Sequence, residues 1–290
     1  MDNFSEFVPN VYFEQIPIKN LVSNQEYQRN LSIRHIQRTV ANFDLNQVNP
    51  VKVSRRNGSN YVINGQHTIE IIRAVSKSQE TPVWCMVYDE LDYPVEANIF
   101  ANQQKYVKPL SSYEIFMANI QAGNDDQITI KSLVESYKLK LAPGRVLCGI
   151  CAVSCLEQIY RKSGYHTLDR TLRLIVLTWE GDPMSLTASI IRSVALLIDV
   201  YGENIKDDAF SERLGVTSAI EIIRNGKSRR PGTIGYAEAM VIAYNKNKKG
   251  NLSMWKLDGK IRHNKKVPEV MDSYAENNNT AEMIVTDNYR

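Results

Sequence analysis

With 290 residues the chain has room for two domains of ordinary size. Four cysteines in that length make no disulfide framework, residues 1–6 show neither the basic start nor the apolar run of a secretory signal, and the longest mostly apolar stretch, 146–156, is too short to span a bilayer. The formal net charge of +3 is unevenly placed: residues 224–266 hold 12 Lys or Arg against 2 acids, a net of +10, while 267–290 sum to −4 and 1–223 to −3. A cytoplasmic protein without a membrane partner is expected, with one strongly basic block.

The first element is a short extended run over 14–18. Ile33, Ile36, Val40 and Phe43 recur near helical spacing and predict a helix over 31–43. A strand is expected at 50–54. Asn57-Gly58 then marks a hairpin turn, because that pair accepts positive φ at low cost. The chain returns as a strand over 61–64, turns at Gly65 and enters a helix carrying Ile69, Ile72 and Val75. A third strand is read at 82–88. Helices follow at 95–104 and 111–122, separated near Pro109. From residue 125 strand signals fade. Helices are predicted over 130–139, 145–163, 168–179, 185–201 and 208–214, with breaks at Gly164, Gly181-Asp182-Pro183 and Gly202. The predicted division is a mixed α/β unit over 1–123, a helical unit with a basic end over 124–266, and a polar, Asn-rich stretch over 267–290 in which little order is expected.

The Gly65 turn concentrates chemistry. A strand that stops at a glycine and opens a helix brings backbone N–H groups and the positive end of the helix dipole to one point. Asn64, Gln66 and His67 crowd that point with polar side chains. The bland reading is a glycine needed for shape alone.

Three segments of this unit carry residues suited to a site. They are 25–29 with Gln28 and Arg29, the turn 64–67, and 97–105 with Asn102, Gln104 and Lys105, the last followed by Leu110 and Glu114. In order and spacing they resemble the ParB/sulfiredoxin-like superfamily over about residues 14–123. Gln28 and Arg29 fall on its Gln-x-Arg segment. Gly65, Gln66 and His67 fall on its glycine turn, nearest the Asp-Gly-Gln-His-Arg form. Asn102, Gln104 and Lys105 fall on its Asn-x-Gln-Arg motif. The resemblance implies an α+β chain, in which a ParB/sulfiredoxin-like mixed domain is followed by an all-helical domain. It also implies a nucleotide, CTP or ATP, held with Mg²⁺ by Gln28, Arg29, Gly65, Gln66, His67, Asn102, Gln104 and Lys105. Asn102 is the candidate metal ligand, and His67 and Glu70 are the candidate catalytic groups.

Four departures weaken the catalytic side of that resemblance. The turn has no cysteine, so sulfiredoxin chemistry lacks its nucleophile. Thr68 stands where the family has an Arg, which removes a bidentate phosphate clamp. Ala101 stands where an acidic metal ligand is expected, and Lys105 replaces Arg as a point charge.

Cys148, Cys151 and Cys155 are read as one apolar helix face and not as a metal set, since no second cysteine pair is present. No structural metal is expected. A helix-turn-helix sought at 128–141 followed by 144–163 shows no clear tight turn. The leading function is a ParB-like, DNA-associated bacterial or mobile-element protein whose N-terminal pocket binds a nucleotide or a phosphate. Arg229, Arg230, Lys248 and Lys249 supply affinity for DNA by counterion release. The alternatives are a ParB-like nuclease or phosphoryl-transfer enzyme, and a non-catalytic interaction module with a vestigial pocket. A homodimer is left open.

Overall fold

Five short segments rich in β-branched residues make one sheet: β1 (Tyr12–Pro17), β2 (Leu21–Ser23), β3 (Val51–Arg56), β4 (Ser59–Asn64) and β5 (Pro82–Asp89). Their order is β1-β5-β3-β4-β2. The β1–β5 and β3–β4 pairs are antiparallel, whereas β3–β5 and β4–β2 are parallel. Alternate residues of β5 (Val83, Cys85, Val87) face a core shared with Ile16, Ile18, Val51, Val53 and Val62. The hairpin is built as its residues require, with Asn57 and Gly58 at φ 51° and 73°. The computed structural model describes residues 10–23, 28, 30–103, 105, 107–246 and 251–257. Its two compact units divide after Pro109.

Three helices complete the sheet unit: α1 (Ile33–Ala41), α2 (Gln66–Ser76) and α3 (Tyr93–Asn102). On α2 the buried apolar residues are Ile69 and Ile71, while Ile72 is half-buried and Val75 exposed. The expected stripe is thus rotated by about one residue toward Gln66, which is itself buried. α1 packs beside α2, yet none of its residues is fully buried. α3 is anchored by Glu96, a fully buried carboxylate that accepts from Arg56 Nε at 2.8 Å. The Arg56 guanidinium also lies 3.9 Å over the Tyr61 ring.

The second unit contains α4 (Ser112–Gln121), α5 (Asp125–Ser136), β6 (Lys140–Leu141), β7 (Gly149–Ile150), α6 (Val153–Trp179), α7 (Ala188–Tyr201), α8 (Asp207–Leu214), α9 (Ala219–Arg229) and α10 (Thr233–Asn245). Its core includes Leu168, Leu172, Ile175, Ile190, Ile191, Val194, Phe210 and Met240. α7 is buried around much of its surface, as its composition predicts. Gly164 breaks α6 with φ 83° and ψ 174°. α4 packs in this unit through Phe116, whereas the sequence reading places residues 111–122 with the sheet. Ser111 and Glu114 close a capping box at its start.

Two expectations are corrected here. The helical unit contains one short parallel pairing, β6 with β7. That pairing and its loops fill residues 137–152, so α5 and α6 are not joined by the tight turn of a helix-turn-helix. The cysteines do not share a helix face, because α6 starts only at Val153 and Cys148 has φ 56°. Cys148 and Cys151 lie half-buried before the helix, and Cys155 is buried within it. Burial pushes the Cys155 thiol up to about 11, as it does for Cys85 in β5. Helices α9 and α10 are not read in the sequence, where residues from 224 onward stand only as a basic block.

Candidate functional site

Two helix starts open onto one cleft. The chain leaves β4 at Asn64, turns at Gly65 with φ 112° and ψ 14°, and enters α2. A Cβ at position 65 would lie 3.1 Å from Val51 Cγ2 and 3.2 Å from Val51 Cα. Glycine is therefore required both by the backbone and by space. The register of β3 against β4 shifts between Lys52 and Val53, beside this close approach.

The other helix start is tied to the first. Ser32 caps α1, its hydroxyl accepting from the His35 N–H at 3.4 Å. The Ser32 backbone N–H donates to His67 Nε2 at 3.0 Å. This bond requires a lone pair on Nε2, so His67 carries its ring proton on Nδ1. The His35 and His67 rings meet edge to face, with centroids 5.5 Å apart and planes at 72°. Buried Gln28 donates its side-chain amide to the Val62 carbonyl and so fixes itself against β4.

The cleft has a volume of about 340 Å³. Its walls are Gln28, Asn30, Ser32 and His35 on one side, Ile63, Asn64, Gly65, Gln66, His67 and Thr68 on another, and Phe100 of α3 on a third. Among these lining residues there is no carboxylate, and the two histidines are the groups able to carry charge. Amide side chains, imidazoles and two helix N-termini make a cleft suited to an anion, with Ile63 and Phe100 as its apolar wall.

The structure brings together four of the predicted site residues: Gln28, Gly65, Gln66 and His67 line the cleft. Asn102, Lys105 and Glu70 do not line it. Asn102 turns back on its own helix and donates to the Asn98 carbonyl at 3.0 Å. Both carboxylate oxygens of Glu70 accept from Arg73 Nη1, at 2.8 and 2.9 Å. Arg29 and Gln104 lie outside the described residues. Sequence reasoning missed Asn30, Ser32, His35 and Phe100. Ser32 had a signal, since a serine just before an apolar helical pattern is a cap. His35 three residues later then falls in the first turn of α1, as His67 does in α2.

Magnesium does not fit the described lining as a resident ion, because that ion is usually held through one or two carboxylates and none is present. Among the described residues no group of three or more His, Cys, Asp or Glu could hold a metal ion.

In the helical unit Arg229 and Arg230 are exposed and also paired. Arg229 Nε and Arg230 Nε lie 3.4 and 3.0 Å from the carboxylate of buried Glu238 on α10. α9 and α10 approach closely at Gly226 and Gly235, where an added Cβ at 235 would lie 2.5 Å from the Gly226 carbonyl oxygen. Arg224 and Lys227 stand exposed on α9. Lys248 and Lys249 lie outside the described residues. Among the described residues no helix is long and apolar enough to cross a membrane.

The chain belongs to a family of unknown function (DUF6551), whose model matches residues 22–256. No curated protein matches it. Two solved structures of the C-terminally truncated chromosome-partitioning protein ParB from Caulobacter crescentus overlap with it in part. The one complexed with CTP-gamma-S is 13% identical, covers 79% of this chain and 99% of its own, and gives a TM-score of 0.34. The one complexed to the centromeric parS site is 15% identical, covers 72% and 95%, and gives 0.26. Overlaps at these TM-scores assign neither a ligand nor a partner to this chain.

Proposed function

We propose that the cleft between the first turns of α1 and α2 binds the phosphates of a nucleotide, and that the basic face of the helical unit associates with DNA. The observation that carries the first part is the convergence of residues 32–35 and 65–68 on one cleft with no described carboxylate in its lining. Four residues that resemble a nucleotide-binding superfamily in sequence lie in that lining. Helix starts supply backbone N–H groups to an anion, and Phe100 supplies a face for a planar base. Any magnesium enters with the nucleotide on its own phosphates. Hydrolysis or strand cleavage with Glu70 as base forms no part of this reading, because both its carboxylate oxygens already bind Arg73.

DNA association is supported by the charge of residues 224–266 and by the outward face of α9. In this reading Arg224 and Lys227 meet phosphate, while Arg229 and Arg230, also exposed, pair with Glu238. The association is expected to be sequence-tolerant and to weaken steeply with salt.

Calorimetric titration of CTP, ATP and ADP with Mg²⁺ tests the nucleotide site. Saturable heat with at least one of them is expected for the wild-type chain, and Gly65→Val abolishes it. Absence of heat with all three, in a folded protein, would remove the nucleotide from the account and favour the interaction-module alternative.

A further inference from the structure

We propose that His35 is the charge-bearing anion ligand of this cleft and that it selects a dianionic phosphate, such as a terminal nucleotide phosphate, over a phosphodiester monoanion. The inference rests on the phosphate-binding reading above and assigns a role that the sequence motifs do not contain. Of the described lining residues, only His35 and His67 can become cationic. His67 is held neutral at Nε2 by the Ser32 N–H, and protonating that nitrogen forfeits the bond linking the two helix starts. His35 has no such tie: its ring meets His67 edge to face, and its nitrogens have no hydrogen-bond partner among the described residues. It is therefore the imidazole that takes up a proton at least structural cost.

The surroundings permit this charge. On α1 the other charged groups are Arg34 and Arg38. On α2, packed against it, they are Glu70 and Arg73, which bind one another at 2.8 Å and leave little net field. A dianion arriving between the helix starts supplies the opposite charge that His35 lacks, so binding and protonation favour each other. A monoanionic diester gives a weaker pull, because one negative charge is already balanced in part by the helix N-termini.

The test uses the full chain, with inorganic pyrophosphate and CMP as multiply charged phosphate probes and the dinucleotide CpC as the diester probe. Affinities are measured from pH 6 to pH 8 for wild type, His35→Gln and His67→Gln, with circular dichroism to confirm folding. Between pH 8 and pH 6 the wild-type affinity for pyrophosphate, taken relative to that of His35→Gln, rises about fivefold. The ratio removes the titration of the probe itself. CpC shows no such rise. In parallel, ring NMR shows the His35 resonances perturbed on adding pyrophosphate. Parallel pH profiles for wild type and His35→Gln would overturn the proposal while leaving the phosphate site standing. Loss of the pH dependence only in His67→Gln would overturn it in favour of the other imidazole. Failure of every probe to bind wild type at any pH would overturn the phosphate reading and this inference with it.

Discussion

The sheet unit and the helical unit use polar residues in opposite ways. In the sheet unit the uncharged polar residues and histidines collect at one place, apart from ion pairs such as Arg56–Glu96. His35, Asn64, Gln66 and His67 stand at two helix starts around a cleft, and α1 carries its part of the site while burying none of its own residues fully. In the helical unit many charges are spread and paired in structure, although Arg224 and Lys227 stand exposed on α9. Arg170 donates to the Gly202 carbonyl and to Asp207, Arg173 reaches the same carboxylate at 2.9 Å, and Arg229 and Arg230 meet at Glu238. A cluster of arginines in a sequence therefore does not by itself separate paired side chains from unpaired ones.

The sharpest way to break this contrast is at Glu238. Removing both partners by Arg229→Ala with Arg230→Ala leaves a buried carboxylate unpaired and is expected to cost about 3 kcal/mol in denaturant unfolding. Adding Glu238→Gln should recover much of that loss. A double variant as stable as wild type would show that the two arginines are free surface charges after all.

At the cleft, Gly65→Val forces a Cβ against Val51 and a β-branched residue into positive φ. A cost of about 1–3 kcal/mol accompanies its loss of nucleotide binding. Gly65→Ala should be milder in stability and still impaired in binding. Wild-type binding by both variants would mean that the turn serves shape only.

High pH separates the units less sharply. The Cys85 and Cys155 thiols are each raised by burial to about 11, so the folded chain holds protons that the unfolded chain gives up from about pH 9. Their contribution, on the order of 2 kcal/mol each, is complete below the unfolded thiol pKa and is lost as pH rises through 11. Denaturant midpoints should fall between pH 8.5 and 10.5, less so in Cys85→Ala/Cys155→Ala. Equal slopes in the two proteins would exclude the thiols as the cause.

The smallest effect on stability belongs to α9. Arg224→Gln with Lys227→Gln should change stability by less than about 0.5 kcal/mol. It should lower the slope of log DNA affinity against log salt by about two. An unchanged slope would place DNA association elsewhere in the chain.

Much of the sheet unit was legible because its signals are local. Asn57-Gly58, Pro82 and Gly65 each fix a backbone conformation within a few residues, and β5 alternates plainly. The short strand Leu21–Ser23 was not legible, since its partner β4 lies far along the chain. The same holds for β6 and β7, whose two-residue pairing leaves no periodicity to find. In the cleft, the Gly65 turn announced itself, but His35 did not. Its role depends on the Ser32–His67 bond across 35 positions, which no spacing rule contains. Glu238 was not legible as the partner of Arg229 and Arg230 for the related reason that it becomes their neighbour only when α9 folds back onto α10.

The central claim is that one phosphate-bearing ligand sits between two helix starts. Backbone amide NMR of the full chain during titration with CTP and Mg²⁺ tests it most directly. The account predicts saturable shifts confined chiefly to residues 32–35 and 64–68, with Phe100 following. Saturable shifts that avoid both helix starts, or none at millimolar nucleotide, would contradict it.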